Sequence, residues 1–134
     1  KALLLFYGVY GTDLDTASYR AFGDGRFGLS RADMAGYWDA YAPVPANRSD
    51  PRAVPLLADL AGLPPVFLAA AGLDVLLDDT LAMARRLQQA GVPFELKRYE
   101  GVCHGFIVLG RVLDAANTMV ADAAMFLRQR LDQA

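Results

Sequence analysis

The sequence predicts an α/β fold: a small, mostly parallel sheet of three strands with flanking helices. Three observations carry that expectation. Two apolar runs, Ala2–Gly8 and Val66–Ala71, are continuous rather than alternating, as in strands covered on both faces. A third run, Phe94–Tyr99, partly alternates, as an edge strand with one wet face does. Stretches with helical spacing of apolar residues separate and follow these runs, and that order implies βαβ units.

Each element has a local reason. Gly8 bounds the first run, which reads as a strand buried on both faces. Gly11–Gly28 holds Asp13, Asp15, Gly23, Asp24 and Gly25, which is loop chemistry. Met34, Tyr37, Trp38 and Tyr41 then fall at i, i+3, i+4 and i+7, one face of a helix that reads most simply as core packing. Ser30 is its expected N-cap, Asp33 suits its first turn, and Pro43 and Pro45 stop it. Residues 47–65 read as irregular around four prolines, with one helical turn at Leu56–Leu60.

The second run ends at Gly72. Asp78, Asp79 and Thr80 open a helix carrying Leu81, Ala84 and Leu87, with Gly91 as its C′ residue and Pro93 beyond. The last helix places Leu113, Ala116, Val120, Ala123, Leu127 and Leu131 on one stripe, with Arg128 and Arg130 where cations suit the dipole.

Composition narrows the function classes. At 134 residues the chain is one domain or a piece of one, and its 54% apolar content excludes intrinsic disorder. Thirteen basic against fifteen acidic residues leave a net charge of −2, which argues against a nucleic-acid partner. One Cys excludes an intramolecular disulfide or a Cys-rich zinc site, and one His excludes a poly-His metal site. The longest purely apolar runs, Leu3–Tyr7 and Val66–Ala71, are too short to span a bilayer. No basic segment leading into an apolar one opens the chain, so the expected location is the cytoplasm, although the chain starts at Lys1 rather than Met.

Two residues stand out by position. Asp74 follows the second strand and His104 follows the third. Functional groups in open parallel sheets collect at the carboxyl ends of strands, so the two can meet across thirty residues. Nucleophilic acyl transfer wants such a pair: the imidazole takes a proton, and the carboxylate fixes its tautomer and stabilises its charged form. On local grounds alone a lone His such as His104 is more often a surface or satisfied structural residue, and Asp74 serves at least as readily as a cap for the next helix. Cys103 reads as a small buried hydrophobe rather than a nucleophile. Gly8-Val9-Tyr10-Gly11 faintly suggests a phosphate loop, but no Gly-Lys-Ser/Thr follows, which weakens a nucleotide-binding reading.

The surrounding words add a resemblance. Leu60-Ala61-Gly62-Leu63-Pro64-Pro65, the stretch Ala71–Asp79, Ala90-Gly91-Val92-Pro93, Tyr99-Glu100-Gly101 and His104-Gly105-Phe106 follow in that order. Together they resemble the C-terminal half of hormone-sensitive-lipase-like carboxylesterases, within the α/β-hydrolase superfamily. The combination favours this branch over peptidases and dienelactone hydrolases, which share the acid–base order. The resemblance implies that Asp74 is the triad acid, His104 the triad base and Asp78 a structural anchor. Val75 and Leu77 depart from the family's usual Pro and Arg without touching that chemistry. By the same resemblance Trp38 and Tyr41 are candidate substrate-lining residues, with Tyr19 and Phe22 behind them. No metal or organic cofactor is implied.

The third triad member should be a Ser in Gly-x-Ser-x-Gly at a strand-to-helix turn. Of the three serines, Ser18 and Ser49 lack both glycines, and Ser30 follows Gly28 but precedes Ala32. The family's His-Gly-Gly oxyanion loop is also missing. Residues 1–134 are therefore expected to be the C-terminal portion of a single α/β-hydrolase domain, with the nucleophile-bearing N-terminal portion outside the chain. Ester hydrolysis of short- to medium-chain substrates is expected of the complete enzyme, and none of the chain alone. The expected partners are a small ester, the N-terminal half of the domain or a second copy of the chain. The family's dimer contact implies Phe94–Tyr99 and the last helix for such a homodimer. The alternative is a catalytically incompetent assembly module that pairs through its exposed first strand.

Overall fold

The computed structural model describes residues 1–131. Three strands, β1 (Leu3–Phe6), β2 (Val66–Leu73) and β3 (Phe94–Cys103), form one parallel sheet in the order β1-β2-β3. The helices are α1 (Ala17–Phe22), α2 (Arg31–Tyr41), α3 (Leu77–Gln89) and α4 (Asp114–Leu131).

The central strand β2 is the one buried on both faces, from Val66 through Gly72. Burying each Val, Leu or Phe there is worth about 1.5–3 kcal/mol. On one face Phe67, Ala69 and Ala71 pack with Leu4, Phe6, Tyr99 and the α4 residues Ala116, Met119, Ala123 and Phe126. On the other, Val66 and Leu68 pack with Leu3, Leu5, Phe94, Leu96 and the α3 residues Met83, Ala84 and Leu87. Alternate residues of each strand thus point to opposite helices, as the pleat requires.

The first strand differs from expectation. Leu3–Phe6 are only half-buried, because β1 pairs with β2 alone and its other edge meets no strand among the described residues. The loop expected across Gly11–Gly28 contains α1, a helix of six residues, too short to show periodicity, with Thr16 Oγ1 accepting the Tyr19 N–H at 3.5 Å. The expected turn at Leu56–Leu60 is a 3₁₀ turn at Pro55–Leu57.

The caps follow the sequence. Ser30 Oγ accepts the Asp33 N–H at 3.0 Å while Asp33 Oδ2 accepts the Ser30 N–H at 2.9 Å, a reciprocal capping box. Gly91 closes α3 with φ +67°, letting the Val92 N–H donate to Leu87 at 3.0 Å and its own N–H to Gln88 at 3.1 Å.

Two helix faces differ from expectation. On α2 only Met34 and Trp38 are buried, while Tyr37 and Tyr41 are exposed, so the aromatic stripe is half core and half surface. On α4 the interior stripe is Ala116, Met119, Ala123 and Phe126, and Val120 and Leu131 face outward. The larger Met119 and Phe126 hold the interior, with the Phe126 ring 5.7 Å from that of Phe67.

Candidate acid–base site at the strand ends

The strands run nearly level: Leu3 pairs with Val66, and Val66 with Phe94. The register breaks near the carboxyl end. Between the pairs Ala71–Tyr99 and Leu73–Cys103, β3 advances four residues while β2 advances two. Gly101, at φ +70°, absorbs the extra length. Strict register would set Val102 opposite Asp74; the irregularity sets His104 there instead. The third strand is accordingly longer than Phe94–Tyr99 and runs directly into the site.

His104 Nδ1 lies 2.8 Å from Asp74 Oδ2. An ionised carboxylate only accepts, so Nδ1 carries the hydrogen and donates it, leaving Nε2 as the free acceptor. Asp74 is buried, and the other oxygen of its carboxylate accepts the Leu76 N–H at 2.9 Å. The same residue therefore shapes the turn into α3 and holds the histidine. The His104 side chain remains 32% exposed. A reachable imidazole backed by a buried carboxylate can take a proton from a hydroxyl and return it to a leaving group.

Aromatic rings flank the pair. The Tyr7 ring meets the His104 ring edge-on at 4.8 Å and the Phe106 ring at 5.7 Å. The sequence pattern does not single out Tyr7; its only local sign is its place at the end of the first apolar run.

The neighbouring carboxylates anchor loops. Asp78 Oδ2 accepts the Ser18 N–H at 2.8 Å, and Ser18 Oγ donates to the Val75 carbonyl at 2.6 Å. Asp79 Oδ2 accepts the N–H groups of Tyr10 and Gly11, each at 2.8 Å. Burial pushes the Asp79 carboxyl above the usual range; those two N–H groups oppose the shift, and the charges of Asp74 and Asp78 add to it. Asp79 thus occupies the donors that a phosphate loop at Gly8–Gly11 would need. Gly8 is required there for another reason: a Cβ would fall 2.6 Å from the Tyr10 ring.

No serine hydrogen-bonds His104. Ser18 is tied to α3, Ser30 caps α2, and Ser49 Oγ donates to Ala46 at 2.9 Å. Cys103 is a free, half-buried thiol with no hydrogen bond to the imidazole. Among the described residues no group of three or more His, Cys, Asp or Glu could hold a metal ion. No helix among them is long and apolar enough to cross a membrane.

Trp38 and Tyr41 line a cleft of about 330 Å³ with Val9, Met34, Tyr37, Arg52, Ala53 and Pro55. The buried Trp38 Nε1 has no hydrogen-bond partner among the described residues. Tyr19 packs beneath, in the cluster that holds Trp38, Val75 and Leu76, and Phe22 lies at its edge against Phe27. Neither lines the cleft, and neither do Asp74 and His104.

Comparison with known proteins agrees with this architecture. A family model described as the alpha/beta hydrolase fold matches residues 1–108. An acetyl esterase of Salmonella dublin is 36% identical over 131 residues, covering 97% of this chain and 40% of that protein. A thermostable esterase from Pseudomonas putida superimposes with a TM-score of 0.86 at 35% identity, over 91% of this chain and 40% of its own. A thermophilic carboxylesterase cloned from a metagenomic library gives 0.91 at 31% identity, over 96% and 45% respectively. The chain thus spans about 40% of the length of the curated relatives it matches.

Proposed function

We propose, from the premise that this chain belongs to the alpha/beta hydrolase fold family, that Asp74 and His104 are the acid and base of a serine carboxylesterase. The observation that carries the reading is the 2.8 Å bond between Asp74 Oδ2 and His104 Nδ1, at the ends of adjacent parallel strands. The nucleophilic serine and the oxyanion donors come from a segment outside residues 1–134, which adds its strands beside β1. The chain is then the C-terminal portion of one domain.

In this mechanism His104 Nε2 takes the serine proton as the hydroxyl oxygen attacks the ester carbonyl. Asp74 holds the imidazole and stabilises its charge while the tetrahedral oxyanion exists. Collapse expels the alcohol, which leaves with the proton from His104. Water, activated by the same nitrogen, then hydrolyses the acyl-enzyme. The acetyl esterases among the relatives support a short acyl group. The cleft at Trp38 and Tyr41 suits the apolar part of the ester.

The test is complementation. The chain is mixed or co-expressed with the segment encoded upstream, and hydrolysis of p-nitrophenyl acetate is followed. Turnover by the mixture, absent from either part and lost in His104→Ala, is the expected result. Turnover by the isolated chain that His104→Ala abolishes would overturn the divided-site reading.

A second reading rests on β1, whose outer edge is unpaired among the described residues. In it the chain is an assembly module that pairs this edge with a second copy. Sedimentation that shows a dimer, with no activity in the complemented mixture, would favour it.

A further inference from the structure

Tyr7 is the one residue other than glycine with a positive φ, +37°, among the described residues. A bulky side chain in that region is strained, and a glycine or asparagine would adopt the turn more easily. The strand ladder continues through it, since the Tyr7 N–H donates to Ala69 at 2.7 Å. What the tyrosine adds is its buried ring, set between His104 at 4.8 Å and Phe106 at 5.7 Å.

A single hydrogen bond to Asp74 fixes where His104 Nδ1 sits but leaves the imidazole free to pivot about that bond. The outer torsion of a histidine is broad and offers little resistance. An aromatic wall packed edge-on removes the pivot. We infer that Tyr7 is a positioning residue for His104: its ring fixes the plane of the imidazole while Asp74 fixes one nitrogen. This inference rests on the acid–base reading of that pair. The backbone strain at Tyr7 is then retained because it brings the ring of the residue just after β1 against the side chain just after β3.

The chain has one histidine, so its imidazole resonances in the 134-residue chain are assigned without ambiguity. The readout is the solvent exchange rate of the Nδ1–H proton by NMR, in wild type, Tyr7→Phe, Tyr7→Asn, Tyr7→Leu and Asp74→Asn. Tyr7→Phe should keep the wild-type rate, because the ring stays. Tyr7→Asn, which tolerates the backbone, and Tyr7→Leu should each speed exchange by at least about tenfold while the β2 amides stay protected. Wild-type exchange in a folded Tyr7→Asn or Tyr7→Leu variant would overturn the inference. So would loss in Tyr7→Phe, or unfolding of both ring-deleted variants, since the ring would then serve the fold. Failure of the underlying pair looks different: the resonance would be missing in wild type, or unchanged in Asp74→Asn.

Discussion

Asp74 divides its carboxylate between two partners: Oδ2 lies 2.8 Å from His104 Nδ1, and Oδ1 accepts the Leu76 N–H at 2.9 Å. The acid is thus fixed by the turn it creates, and the imidazole is fixed by the acid. An asparagine can keep the turn, but its amide presents N–H groups to His104 or an oxygen that the turn already uses. The histidine is then driven to carry its hydrogen on Nε2, the nitrogen that must accept the proton. Asp74→Asn in the complemented enzyme should lower kcat on the order of ten-thousand-fold with KM little changed. Steady-state kinetics on an activated ester checks this, and near-normal kcat would remove Asp74 from the mechanism.

Ser18 ties α1 to the start of α3. Its hydroxyl donates to the Val75 carbonyl at 2.6 Å and accepts the Asp78 N–H at 3.2 Å, and the residue is buried. Ser18→Ala leaves both backbone groups without that partner. The expected loss is about 1–3 kcal/mol, read from urea unfolding of the chain. An unchanged midpoint would mean that the two groups find other partners.

Asp79 gives the pH prediction. Burial is the largest cause raising its carboxyl above the usual range, against the pull of the Tyr10 and Gly11 N–H groups. A raised value in the fold means that the folded chain holds this proton more tightly than the unfolded one. Its contribution is fully present below the unfolded value of about 3.9 and is lost as pH rises through the folded value. Asn can still accept from both N–H groups but carries no charge. Asp79→Asn should therefore lose less stability than wild type as pH is raised across that window. Unfolding curves at several pH values compare the two slopes, and parallel slopes would contradict the assignment.

The order of strands and helices was legible because β2 is covered on both faces and α3 carries clear start and stop residues. The same continuous apolar pattern misjudged β1. Leu3 and Leu5 face one helix layer and Leu4 and Phe6 the other, but apolar residues on both faces say nothing of an unpaired edge. Asp74 and His104 were legible as strand-end residues. The device that sets them opposite each other, the extra length of β3 at Gly101, leaves only one glycine as its sign. The partners of Asp79 lie 69 and 68 residues away, beyond any local pattern. Tyr7 was invisible because a positive φ at a tyrosine follows from tertiary packing, not from propensity.

Gly72 sits where the two strands fall out of step, and the site depends on it. A Cβ there would lie 3.0 Å from the Tyr99 carbonyl oxygen, 3.1 Å from Glu100 Cα and 2.8 Å from Glu100 Oε2. The Glu100 side chain can swing away, but the two backbone atoms can yield only if β3 moves. That movement carries the end of the strand, and His104 with it, away from the buried Asp74. Gly72→Ala should therefore destabilise the chain by about 1–3 kcal/mol, as overpacking does. It should also weaken the Asp74–His104 bond, seen as faster exchange of the Nδ1–H proton under conditions where the chain stays folded. Ala71, one residue earlier, pairs in register with Tyr99 and serves as the control. Ala71→Gly removes a buried methyl and should cost stability while leaving the imidazole proton as slow as in wild type. Equal exchange in Gly72→Ala and wild type would show that β3 accommodates the methyl without moving its end, and that the irregularity does not control the site.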